Sequence, residues 1–148
     1  MIVAARPKVV EILLVEDNPG DSRLTLEAIR DCAADTNLKV VRDGVEAMAF
    51  LRKEGVYGDA ARPALILLDL NLPKKGGREV LAEVKNDPEL RRIPIVVFST
   101  SESEEDILTA YSLHANCYIP KPTDVSQLVA VVRCIEEFWL TRVRLPAD

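Results

Sequence analysis

The chain has 148 residues, 48% of them hydrophobic and 29% charged, which fits one globular domain with a real core. Its 19 basic and 24 acidic residues leave a net charge of −5, which argues against nonspecific nucleic-acid or anionic-membrane binding and for a protein or a cation as partner. Cys32, Cys117 and Cys134 form an odd set without C-x-x-C spacing, read as buried thiols of a reducing cytoplasm rather than a disulfide framework or zinc site.

The N-terminal "MIVAARPKVVEILLVED" is interrupted by Arg6, Pro7, Lys8 and Glu11, so it lacks a signal-peptide core, and no stretch is long enough to span a bilayer. The expectation is a soluble, cytoplasmic protein. Five short apolar runs then alternate with helical patterns. "VVEILLV" (9–15) leads to a helix opening at Asn18-Pro19 and running to about residue 33, with Leu24, Ala28, Ile29 and Cys32 on one face. "LKVVR" (38–42) is a weaker strand, followed by a helix over 44–53 and a loop over 55–62. "ALILLDL" (64–70), "IPIVVFS" (93–99) and "CYIP" (117–120) precede helices beginning near Arg78, Glu102 and Asp124.

Five βα units predict an α/β fold with a parallel sheet covered on both faces. Runs one, three and four are nearly continuous in apolar residues and read as central strands; the polar second run and the Pro-containing fifth read as edges. That is the flavodoxin-like, doubly wound (βα)5 arrangement with order 2-1-3-4-5, whose ligands bind at the switch point outside the carboxyl ends of strands one and three.

The acids have a place in that fold. Strand one ends in Glu16-Asp17 and strand three in Asp69, so three carboxylates meet at one switch point, and together they call for a cation. With no His or Cys nearby, oxygen donors favour Mg²⁺, and the Asn71 backbone carbonyl past Asp69 completes a protein donor set. Strand four ends in Ser99-Thr100-Ser101 and strand five runs into Lys121, adding hydroxyls and an ammonium group. These are the parts phosphoryl transfer needs, with Asp69 as nucleophile. Asp69 taken alone also reads as a carboxylate capping a turn.

"ILLVEDN" (12–18), "LILLDLNLP" (65–73), "VVFST" (96–100) and "YIPKP" (118–122) resemble, in order and separation, the motifs of bacterial response-regulator receiver domains. The resemblance implies a single receiver domain over 1–148, with its core at about 9–139 and a short C-terminal arm at 140–148. It implies Asp69 as phosphoacceptor, Glu16, Asp17 and the Asn71 carbonyl as Mg²⁺ ligands, Ser99 as switch hydroxyl, Lys121 as phosphate partner and Tyr118 as the aromatic that moves on activation. In that family the peptide before the Pro122 position is usually cis. "LPKKGGREVLAEVK", "LHANCY" and "FWLTRVRLP" are similar, more narrowly, to the single-domain response regulators of cyanobacterial and bacterial phytochromes. The implied partner is a sensor histidine kinase of the bacteriophytochrome kind. The implied role is a phosphoacceptor in a phosphorelay rather than a turnover enzyme, with slow autodephosphorylation at most. Three positions depart from the pattern: Thr100 where Ala or Gly is common, His114 at a helix exit where Gly is common, and Pro120 directly before Lys121.

On the last helix Val125, Leu128, Val129, Val132, Ile135 and Trp139 form a stripe expected to face the sheet, while Val131, Cys134 and Phe138 form a second. The second stripe is either packing for neighbouring elements or a face for a partner. In the receiver family the face of helix four, strand five and helix five is the usual output surface, so a homodimer through it is expected. The tail "TRVRLP" reads as an extended arm laid on its own domain or on a partner. A haloacid-dehalogenase-like phosphatase is the alternative from another class, but it needs a second Asp where Asn71 stands. A flavodoxin-like FMN carrier fits poorly with the acidic "EDNPGDS" and 5% aromatic content.

Overall fold

A computed structural model describes residues 9–31 and 35–146. Five strands, β1 (Val10–Val15), β2 (Thr36–Val41), β3 (Leu65–Leu68), β4 (Ile95–Ser99) and β5 (Cys117–Pro120), form one parallel sheet in the order 2-1-3-4-5. Helices α1 (Pro19–Arg30), α2 (Gly44–Leu51), α3 (Gly77–Asn86), α4 (Glu104–Ser112) and α5 (Val125–Glu136) connect and follow them. The flavodoxin-like arrangement expected from the apolar runs is therefore the one observed.

Alternation along the strands divides the core in two. Leu13, Val15, Ile66, Leu68, Ile95 and Val97 face α2, α3 and α4, whereas Ile12, Leu14, Leu65, Leu67, Val96 and Phe98 face α1 and α5. Truncating a fully buried member such as Leu67 to Ala would cost about 2–5 kcal/mol. That rigid sheet fixes where its strand ends point.

Helix starts follow local chemistry. Asn18, Asp43, Ser103 and Asp124 each accept a backbone N–H with the side chain at the N-cap of α1, α2, α4 and α5. At its other end α4 is closed by His114 at φ +73°, the left-handed geometry that glycine commonly supplies at a helix exit.

Several expectations change. Val125 is 58% exposed because it opens α5, beyond the sheet's cover, while Leu128, Val132 and Ile135 are buried as the stripe requires. Cys134 is exposed and Cys117 only half-buried, so neither is the core thiol expected; α5 turns Cys134 away from the sheet. Cys32 lies outside the described residues. The arm does not begin at residue 140, since α5 continues into a π-helical turn, Glu137–Arg142, closed by Val143 N–H donating to Phe138 O at 2.9 Å. Beyond it the tail lies back on its own domain, where Pro146 lines a small cavity with Pro63, Ala64 and Pro94.

Candidate functional site

The carboxyl ends of the central strands deliver the acids to one place. Glu16 and Asp17 follow β1, Asp69 follows β3, and β1 pairs with β3 so that Val15 lies beside Leu68. The Asp69 N–H donates to Val15 O at 3.1 Å, which locks the two strand ends together. One carboxylate oxygen from each of Glu16, Asp17 and Asp69 lies within 4.8 Å of the others. Glu16 and Asp69 are buried and Asp17 is exposed, so the cluster opens to solvent on one side. A set of hard oxygen donors with excess negative charge fits a divalent cation.

Lys121, carried by the turn after β5, reaches into this cluster. Its Nζ is hydrogen-bonded to Glu16 and lies 3.2 Å from Asp21 and 3.5 Å from Asp69. Burial pushes the Glu16 carboxyl up to about 7; Asp69 pushes the same way, and Lys121 pulls against both. For Lys121 burial disfavours the ammonium, but the Glu16 hydrogen bond and the charges of Glu16, Asp69 and Asp21 outweigh it and hold the pKa above its ordinary value. Lys121 thus stays charged. Asp21 escaped the sequence reading: it sits a turn into α1, 100 residues from Lys121, and only the folded strand order brings them together.

The loop after Asp69 is braced by two close approaches. Asn71 N–H donates to Asp69 Oδ1 at 3.1 Å, turning the chain directly after the acid. A Cβ on Gly77 would lie 2.3 Å from Asp69 O, and one on Gly44 would lie 2.2 Å from Lys75 O. Gly77 therefore serves close packing of α3 on the Asp69 peptide. Lys74, at φ +64°, turns the same loop and places its ammonium 3.5 Å from Asp43.

A second set of contacts runs along the adjoining loop. Ser99 is fully buried at the end of β4, and its Oγ accepts the Ser101 N–H at 3.3 Å. Tyr118, half-buried on β5, donates its hydroxyl to Ser101 O at 2.8 Å, so one peptide segment contacts both residues. The Ser101 hydroxyl donates to Asp106 Oδ2 at 2.5 Å, and Arg78, on the first turn of α3, holds the other oxygen of Asp106. The Ser101 hydroxyl lowers the Asp106 pKa most, and Arg78 adds to it.

The response regulator receiver domain family matches residues 12–133. The chain belongs to that family. It is 54% identical over 141 residues to the response regulator Rcp1 of Synechocystis sp., covering 95% of each sequence. Among solved structures it resembles the phosphorylated cyanobacterial phytochrome response regulator RcpA, with a TM-score of 0.92, 57% identity and coverage of 95% of this chain and 100% of that one. It also resembles the Mn²⁺-bound form of Rcp1, with a TM-score of 0.91, 53% identity and coverage of 93% and 99%.

As a receiver it is a signalling domain of the two-component type, a role consistent with phosphoryl acceptance. Membership displaces the phosphatase alternative. The departures from the receiver pattern find local explanations: Thr100 is exposed, and Pro120 lies on the edge strand beside Ser99. The peptide before Pro122 is trans, as are all described peptides, contrary to the family habit. For a peptide preceding proline the two isomers differ by only about 0.5–1 kcal/mol, so local packing decides. Among the described residues no helix is long and apolar enough to cross a membrane.

Proposed function

We propose that this receiver takes a phosphoryl group from the phosphohistidine of a sensor kinase onto Asp69. The carrying observation is the buried contact of Lys121 with Asp69 and Glu16 beside Asp17, at the switch point of the sheet. An Asp69 carboxylate oxygen attacks phosphorus; the new O–P bond forms as the P–N bond to histidine breaks, and the departing nitrogen keeps the electron pair. Lys121 offers its ammonium to the charge on the phosphoryl oxygens. Mg²⁺, held by Glu16, Asp17, Asp69 and the Asn71 carbonyl, would neutralise the remaining charge.

Signal leaves through Ser101. Ser99 turns its hydroxyl from the Ser101 N–H to the phosphoryl group, and Tyr118 follows through its bond to the Ser101 carbonyl. The surface so altered comprises α4, β5 and α5, and it joins two copies of the chain. The kinase is of the phytochrome type, a reading supported by the likeness to Rcp1 and RcpA. The chain acts as a receiver domain in the cytoplasm, through protein contacts, with slow autodephosphorylation at most.

Incubation with Mg²⁺ and acetyl phosphate should add one phosphoryl group by mass. That label should disappear in Asp69→Asn and after full metal removal. A label that survives either treatment overturns the reading.

A further inference from the structure

We propose that Asp21 is a positioning residue that holds Lys121 back from the phosphoryl group, and so sets how strongly the phosphorylated state is favoured. The inference rests on the phosphoacceptor reading of Asp69. An ammonium has three N–H donors, and Lys121 faces three carboxylates, Glu16, Asp21 at 3.2 Å and Asp69 at 3.5 Å. A phosphoryl group on Asp69 must therefore draw Lys121 toward itself against the pull of Glu16 and Asp21.

The three partners are not equivalent. Glu16 and Asp69 belong to the clustered donor set that suits a cation; Asp21 does not. A cation bound there shares the charge of Glu16, Asp17 and Asp69 and leaves Asp21 with its own. Asp21 then pulls on Lys121 from α1, against Asp69 on β3.

Its backbone is well held. The Asp21 N–H donates to Asn18 Oδ1 at 3.0 Å, and its carbonyl accepts from the buried Thr25 hydroxyl at 2.8 Å. The carboxylate itself is 30% exposed, so its neutralisation leaves no buried charge unpaired, and Lys121 keeps two partners. Asp21 thus weighs little on the fold and more on the balance between resting and phosphorylated states.

The probe is beryllofluoride, a phosphoryl mimic, titrated with excess Mg²⁺ against the whole chain. Asp21→Asn should tighten binding roughly fivefold, the scale of one partly exposed charge pair. Phosphoryl lifetime on Asp69 should lengthen in the same direction. Asp21→Glu should restore wild-type affinity, and Asp21→Ser repeats the neutralisation with a smaller side chain should the first variant fold poorly.

Repeating Asp21→Asn in a Lys121→Met background separates routes: the gain should vanish if Asp21 acts through Lys121. An equal gain there, or no tightening in the wild-type background, overturns the proposal. Wild-type protein that binds no beryllofluoride with Mg²⁺ present would instead overturn the phosphoacceptor reading.

Discussion

At the carboxyl edge of the sheet Glu16, Lys121 and Asp69 retain only 4%, 5% and 8% of their exposure, while on the π-helical turn after α5 Phe138 remains 56% exposed. One region buries charge and the other leaves an aromatic in water. Both run against the usual partition of side chains, and they do so at different cost. Buried ionisable groups are retained only where each finds a partner, and the hydrogen bonds of Lys121 supply them. An exposed ring is cheap for the monomer and gains value only when something covers it.

The comparison can be broken most severely at Lys121. Lys121→Met leaves Glu16 buried without its cation, and phosphorylation by acetyl phosphate should fall roughly 100-fold, the scale of a lost charge-stabilising group. Stability should drop by about 3 kcal/mol at pH 8 and by less at pH 6, where Glu16 takes up a proton; urea unfolding at both pH values checks this.

A smaller effect comes from pH alone. The folded Glu16 pKa of about 7 lies above its ordinary 4.5, so between these values the native state binds more protons than the unfolded chain. This group's contribution to metal-free stability is therefore full below about 4.5 and declines as pH rises through 7. Under the proposed metal role, a divalent cation taken up by this cluster would displace that proton, so Mg²⁺ affinity should rise with pH across the same window. Calorimetry in buffers of different ionisation enthalpy should show proton release at pH 6 and almost none at pH 8.

The smallest change in stability is expected on the exposed face. Phe138→Asp should alter unfolding by less than about 0.5 kcal/mol yet shift the solution mass from dimer toward monomer. Wild-type protein with a monomeric mass would end the dimer reading.

How much of this was legible in the sequence differs between the two regions. The strand order followed from apolar runs in β1, β3 and β4, because burial on both faces of a parallel strand leaves no polar alternation. Glu16, Asp17, Asp69 and Lys121 were legible because strand ends share an edge once the order is known. Asp21 was not, because it approaches Lys121 from a helix rather than a strand end. On α5 the spacing of Val131, Cys134 and Phe138 identified a second stripe, but spacing alone could not distinguish cover from exposure. Nor could it reveal that Pro146 of the tail would come to line a cavity with Pro63 and Pro94.

Gly76 and Gly77 stand side by side and look interchangeable. An added Cβ would meet nothing within 4 Å at Gly76, whereas at Gly77 it would run into the Asp69 and Leu70 backbone. A library randomised at both positions and selected for signalling should accept many residues at the first and return glycine at the second. The first turn of α3 is thereby tied to the Asp69 peptide with no linkage to loosen, so displacement of either must carry the other with it.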